Sequence, residues 1–182
     1  MSVLQSMSDS FADPRTRHAI LVHFPVALGT LATIPTIALA CTAFRNQALR
    51  IAAIAMLLIA SAGAGLAAGA GEEAEALIDG NMMTAQADET LGRHESLGDG
   101  GWMWPLGAAA ILAISFVKKM PVRIGAGSLG VLASIGVAGW VGLTAHYGGQ
   151  LVYHHGVGTR IVPDAPHIDA PPPASPADDG DD

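Results

Sequence analysis

The sequence predicts an all-α integral membrane protein, a four-helix bundle with a helical extension outside the membrane between helices 2 and 3 and a disordered acidic C-terminal tail. Of its 182 residues, 51% are hydrophobic and only 14% are charged, whereas soluble domains carry roughly 25% charged residues. The mean hydropathy is +0.41, and the charged residues leave four long stretches of the chain uncharged. Such a chain has too few polar residues to cover a water-facing globule, which disfavours a soluble enzyme.

The net charge and the cysteine content exclude further classes of protein. The formal net charge is −7 and the pI is near 5.3, whereas a nucleic-acid-binding domain presents a basic face. We therefore expect a lipid bilayer and no nucleic acid as the partner. The single cysteine excludes an intrachain disulfide framework and a cysteine-rich metal site.

Four membrane helices are predicted, over residues 19–44, 51–71, 101–117 and 124–147. Roughly 20 apolar residues span the hydrocarbon core of a bilayer, so the first, second and fourth stretches are long enough. The third is shorter, and its Trp102 and Trp104 suit the membrane interface. Asp13 and Pro14 have the residue types of an N-cap and a first helical position, and Pro25 should kink the first helix.

The distribution of basic residues predicts the orientation. The loops 45–50 and 118–123 hold five of the nine basic residues and no acidic residue, which places them in the cytoplasm of a bacterium by the positive-inside rule. Both termini and the charged helical segment 72–99 then lie outside the inner membrane. The domain boundaries are an N-terminal tail over 1–13, a membrane domain over 14–162 and a disordered Pro- and Asp-rich tail over 163–182.

One polar residue of each helix falls at a common depth. At about 1.5 Å per residue, His23, Glu72, His94 and His146 all lie about 33–36 Å from the basic loops, at the outer edge of a core of about 30 Å. Membrane-embedded ionisable residues that face a bundle interior are functional candidates. The alternative is that each histidine is an ordinary interfacial residue and that Glu72 marks where a helix leaves the membrane.

Stripes of small residues predict which of these side chains face inward. Small residues recur every fourth position in helix 4 and lead to His146, and a similar stripe in helix 2 leads to Glu73. His18 and His23 are five residues apart and can share a face only if Pro25 distorts the helix. Two glycines, 148 and 149, are expected to end helix 4, so that an extended piece folds back and brings His154 or His155 to the site.

These residue types point to a cofactor site. Two neutral imidazoles can bind haem b axially, and three imidazoles with a carboxylate can hold Fe, Cu or Zn. The candidate ligands are five histidines, with two carboxylates as a possible fourth ligand or as groups that orient the imidazoles: His18, His23, His94, His146, His154, Glu72 and Glu73.

Several sequence motifs carry a family resemblance. They are His18, LVHFPVA at 21–27, GEEAE at 71–75, RHESLG at 93–98 and GGQLVYHHGVG at 148–158. In this order they resemble the bacterial membrane-protein family of unknown function 2231. The resemblance covers residues 15–160 and implies a four-helix membrane domain, with some relatives that look haem- or redox-associated.

Three functions follow as hypotheses. The first is a membrane protein that binds haem b or a metal ion at its outer, periplasmic face and exchanges electrons with a periplasmic carrier. The alternative is a non-catalytic accessory subunit of a larger membrane complex, in which the histidine layer only fixes helix packing. A transporter is disfavoured because the sequence shows no charge at the membrane midplane and no paired broken helices.

Overall fold

The computed structural model describes residues 2–78 and 83–158, and within these residues the chain is helical, without a strand. A π-helix over Pro25–Gly29 separates α2 from α3. The α-helices are α1 Val3–Ala12, α2 Pro14–Leu21, α3 Thr33–Cys41, α4 Gln47–Glu75, α5 Ala85–Gly98, α6 Met103–Ile114 and α7 Met120–Tyr153. The all-α membrane fold is therefore confirmed.

The first pass of the bundle is one helical run over Pro14–Cys41. It begins as the sequence predicts, because the Asp13 carboxylate accepts a hydrogen bond of 3.1 Å from Thr16 N and Pro14 is the first helical residue. Pro25 has no backbone N–H and cannot continue the α-helical pattern, so the run passes through the π-helix. The distorted turn packs on α4 at Gly63, where a Cβ would lie 3.2 Å from Pro25 Cδ.

Among the described residues, three helical runs are long and apolar enough to cross a membrane: Pro14–Cys41, Gln47–Glu75 and Met120–Tyr153. The third pass is different, because α6 has 12 residues, about 18 Å, against a bilayer core of about 30 Å. It follows α5 after a break at residues 99–102, where Gly100 has a φ of +65°. Trp140 of α7 donates a hydrogen bond of 2.9 Å to the Leu97 carbonyl at the end of α5 and so stabilises the break.

The first pass is distorted by the π-helix but runs on over Pro14–Cys41, whereas the third pass is divided into α5 and α6 at residues 99–102. The second and fourth passes are the long helices α4 and α7.

The core of the bundle is built from small side chains packed between the long helices. Its buried residues include Ala32, Leu57, Ala108 and Val137. Thr36 of α3 and Ser134 of α7 share a buried hydroxyl–hydroxyl contact of 2.9 Å. We call the end formed by residues 42–50 and 115–123 the basic end, and the opposite end, where α2 and α5 pack on the last turns of α4 and α7, the histidine end.

Two terminal regions differ from the sequence expectations. The glycines at 148 and 149 do not end the last helix, because α7 runs on to Tyr153, and the extended piece expected after them is absent from the described residues. The N-terminal tail over 1–13 contains α1, whose first turn is capped by the Ser2 hydroxyl at 3.2 Å from Gln5 N. The predicted disordered tail over 163–182 lies outside the described residues.

Candidate functional site

Two imidazoles meet at the histidine end. His18 lies on α2 and His94 on α5, and their ring centres are 6.3 Å apart with an interplanar angle of 77°. Both side chains are partly buried. The pair therefore joins the first and third passes of the bundle, 76 residues apart in the chain.

Each imidazole is held by a long helix through a backbone carbonyl. His18 Nδ1 lies 2.7 Å from the Ala67 oxygen on α4, and His94 Nδ1 lies 3.0 Å from the Thr144 oxygen on α7. A carbonyl oxygen can only accept a hydrogen bond, so each Nδ1 carries the proton. In the neutral ring the lone pair is then on Nε2, which is the arrangement that metal-binding histidines commonly use.

A glycine one turn beyond each carbonyl makes room for the ring. A Cβ on Gly71 would lie 3.1 Å from His18 Nδ1, and a Cβ on Gly148 would lie 2.9 Å from His94 Cε1. Carbon atoms in contact are normally about 3.5–4.0 Å apart. The two rings can therefore approach α4 and α7 this closely only where the helix has no side chain.

The same arrangement occurs twice in the chain. In each half, an Arg-His pair on a short helix faces a long helix, and the histidine binds the carbonyl four residues before a glycine. The arginine of each pair also reaches the long helix. Arg17 forms an ion pair with Glu73, and Arg93 donates to the Tyr147 hydroxyl at 3.3 Å.

Electrostatics keep the His94 imidazole neutral. Burial, with a smaller contribution from the nearby His18, lowers the pKa of His94, and the hydrogen bond to the Thr144 carbonyl only partly opposes this. A neutral imidazole is the form that can bind a metal.

A carboxyl pair links α4 and α5 at the same end. A hydrogen bond with the Glu75 carboxyl, together with burial and the charges of Glu75 and Asp88, raises the pKa of Glu95 to about 7. The Glu95 carboxyl is therefore partly protonated near neutral pH and can then donate a hydrogen bond to the Glu75 carboxylate.

The other predicted histidines do not join the pair. His23 is exposed, and its Nδ1 lies 2.7 Å from the Ala19 oxygen of its own helical run. The distortion at Pro25 begins after His23, so it does not rotate His23 onto the face of His18. His146 is also exposed, and its Nε2 lies 3.1 Å from Gln150 Nε2.

The inward orientation expected for His146 and Glu73 is wrong for a geometric reason. Four residues turn an α-helix by about 400°, so a strict every-fourth stripe drifts by about 40° per step. Over the four steps from Gly130 to His146 the drift is about 160°. Gly130 and Ser134 are buried as expected, but the buried face then continues through Val137 and Val141.

The remaining candidates lie around the site rather than in it. Glu73 pairs with Arg17, and Glu72 and His154 are exposed. His155, the other histidine considered after helix 4, has its Nε2 at 3.3 Å from Thr90 Oγ1. Among the residues that the structure describes, no group of three or more His, Cys, Asp or Glu side chains could hold a metal ion.

Sequence reasoning did not find the glycines at 71 and 148, the two carbonyls or Glu95. One signal for the pair was available, because Arg-His occurs at 17–18 and again at 93–94.

The fold and the histidine pair define an all-α membrane protein of two similar helical halves that meet at two imidazoles. The family model of DUF2231, a family of predicted membrane proteins, matches residues 14–160. The chain belongs to this family, as the sequence motifs suggested. No curated protein and no solved structure matches the chain.

Proposed function

We propose that the protein binds a haem b, which His18 and His94 would hold, and that it transfers electrons. The observation that supports this is the separation of the rings. Two imidazoles bound through Nε2 to one metal, with bonds of about 2.0–2.1 Å, have ring centres roughly 4.5–6.5 Å apart, with the largest separation when the N–metal–N angle is widest. The ring centres of His18 and His94 are 6.3 Å apart.

The number of ligands favours haem over a bare ion. A bound Zn, Fe or Cu ion takes at least three protein ligands in most sites, and the described residues bring two imidazoles together here without a suitable third His, Cys, Asp or Glu. Haem iron needs only two axial ligands from the protein, since the macrocycle supplies the others.

The groups around His18 and His94 can orient the two imidazoles for metal binding. The carbonyls of Ala67 and Thr144 hold the Nδ1 protons, which fixes the ring orientations and makes each Nε2 more basic. Burial keeps His94 neutral and available. When bound, haem iron would supply one-electron redox chemistry, and the chain would hold and orient it.

The distribution of basic residues supports a site on the periplasmic side. The basic end carries the loops that the positive-inside rule assigns to the cytoplasm, and the histidine pair lies at the opposite end. We therefore propose a bacterial inner-membrane protein with both termini outside, which exchanges electrons with a periplasmic carrier.

One observation favours a second function. Each imidazole already ties a short helix to a long one through a hydrogen bond, and this contact needs no ligand. The same contacts are expected if the protein is an accessory subunit of a larger membrane complex and the two histidines only hold its helices together.

An absorption spectrum with metal analysis tests the proposal. The full chain, expressed with sufficient haem supply and purified from membranes in mild detergent, should show a haem b spectrum at one haem per chain. His18→Ala and His94→Ala should abolish it, whereas His23→Ala and His146→Ala, which alter exposed histidines, should retain it.

Other results would contradict haem ligation by this pair. A colourless, metal-free protein would favour the accessory subunit. A stoichiometric metal without haem would favour a bare ion at the site. Loss of haem in the His23 or His146 variant, with haem retained in the His18 and His94 variants, would show that His18 and His94 are not the ligands.

A further inference from the structure

Two arginines occupy equivalent positions at the basic end. Arg50 is the fourth residue of α4 and Arg123 is the fourth residue of α7. Arg50 is only 5% exposed, which is rare for an arginine without a charged partner. Arg123 is partly buried and lies close enough to repel the charge of Arg50.

The contacts of these arginines include no ion pair within the described residues. Arg50 donates from Nη2 to the Phe44 carbonyl, and its guanidinium lies 4.5 Å from the centre of the Phe116 ring. The Nε atoms of Arg50 and Arg123 are both buried without a hydrogen-bond partner. Within residues 2–78 and 83–158, the ion pairs are Arg17–Glu73 and Arg93–Glu89, which involve neither arginine.

No acidic residue of the neighbouring loops is available either, because 45–50 and 118–123 contain none. A buried charge without a counter-ion costs free energy, and a second like charge beside it adds to the cost. An anion bound between the guanidiniums would remove both penalties. The positive ends of the α4 and α7 dipoles would add to the attraction of an anion.

We propose that Arg50 and Arg123 form a binding site for the phosphate group of an anionic phospholipid. The apolar neighbourhood favours a lipid over free phosphate. Phe116, Val117 and Val122 are each exposed by more than two fifths beside the arginines, and they offer a surface for the acyl chains of a lipid. This site is independent of the histidine pair and lies at the other end of the bundle.

Matched variants can separate this site from a general attraction of basic residues to acidic lipid. Arg50→Gln and Arg123→Gln remove the two proposed ligands. Arg45→Gln and Lys118→Gln remove the same charge from exposed residues of the same loops. The full chain is purified in a neutral detergent, depleted of lipid, and titrated with phosphatidylglycerol, phosphatidylcholine or inorganic phosphate while its melting temperature is recorded.

Loss of an arginine should have opposite effects on the melting temperature without and with lipid. Without lipid, Arg123→Gln should melt at or above the temperature of the parent, because a poorly compensated charge is gone. With phosphatidylglycerol the parent should be stabilised, and Arg50→Gln and Arg123→Gln should weaken the apparent affinity about tenfold. The Arg45→Gln and Lys118→Gln controls should change it by less than about threefold, in keeping with exposed charges.

Three results would overturn the proposal. One is an equal loss of affinity in all four variants, which would indicate only a diffuse surface attraction. Another is equal stabilisation by inorganic phosphate, which would remove the lipid assignment. The third is a parent protein whose melting temperature does not respond to phosphatidylglycerol. Because Arg123 is less buried than Arg50, the Arg123 variant keeps the test valid if Arg50→Gln fails to fold.

Discussion

The fit of His94 against a glycine of α7 can be tested by adding one methyl group. In Gly148→Ala, the new Cβ would lie 2.9 Å from His94 Cε1 and 3.3 Å from His94 Nδ1. Carbon contacts below about 3.5 Å are repulsive, so the ring must move by roughly 0.6 Å or more. The hydrogen bond to Thr144, now 3.0 Å, would then lengthen beyond about 3.5 Å and be lost.

The magnitude follows from three contributions. Overpacking of this kind costs about 1–3 kcal/mol, and loss of the hydrogen bond costs about 0.5–1.5 kcal/mol. Alanine gains about 1 kcal/mol over glycine as a helix former. We expect a net destabilisation of about 2 kcal/mol, which for a chain of this size lowers the melting temperature by about 4–8 °C.

Gly149→Ala is the matched control. A Cβ at this neighbouring position of α7 would meet no atom within 4 Å, so the same substitution should stabilise the helix by up to about 1 kcal/mol. Thermal unfolding in detergent, followed by tryptophan fluorescence, measures both variants. A Gly148→Ala protein that melts at or above the Gly149→Ala protein would show that His94 does not pack on Gly148.

Three further predictions concern the carboxyl pair, the helix break and the topology. The raised pKa of Glu95, about 7 instead of 4.5, means that its contribution to stability is present below pH 4.5 and is lost as the pH rises through about 7. The melting temperature of the parent should therefore fall relative to that of Glu95→Gln between pH 5 and pH 8. Titration of His94 occurs in both proteins and cancels when the two melting temperatures are subtracted. A difference in melting temperature that stays constant with pH would contradict the raised pKa of Glu95. Trp140→Phe removes the donor to the Leu97 carbonyl and should destabilise the protein by about 1–3 kcal/mol, measured by thermal unfolding. Trp102→Phe, which alters a partly exposed indole, should destabilise it less. Equal losses in the two variants would argue against a special role of the Trp140–Leu97 hydrogen bond. In a Cys41→Ser background, an impermeant thiol reagent added to intact cells should label a cysteine at position 175 and not one at position 47, and the reverse pattern would invert the proposed orientation.

The membrane helices could be predicted from the sequence because their signals are local. Uncharged stretches of the right length indicate spans, and Asp13 with Pro14 marks the start of the first one, as the structure shows. The third predicted helix, over 101–117, corresponds to α6 at Met103–Ile114. It follows the turn at Gly100, which has a φ of +65°.

The histidine pair was harder to predict because it depends on tertiary contacts. Depth along each helix follows from counting residues. Orientation around the helix axis was predicted from four-residue stripes of small residues, which drift too far to assign His146. The contact between His18 and His94 requires α2 to pack on α4, α5 to pack on α7, and the two pairs to meet. No local pattern in the sequence predicts that the two helix pairs meet.

The duplicated arrangement makes a final prediction about coupling between the halves. If His18 and His94 bind one iron, removal of either imidazole should destroy the site, so the second substitution should cost little more. If each histidine instead only ties its own pair of helices, the coupling should come from the ring contact alone, with centres 6.3 Å apart, and should not depend on haem. A double-mutant cycle of His18→Ala and His94→Ala, with melting temperature measured with and without haem supply, should therefore give a coupling energy about 1–3 kcal/mol larger with haem. Coupling energies that agree within about 0.5 kcal/mol in the two conditions would show that the two halves carry structural histidines.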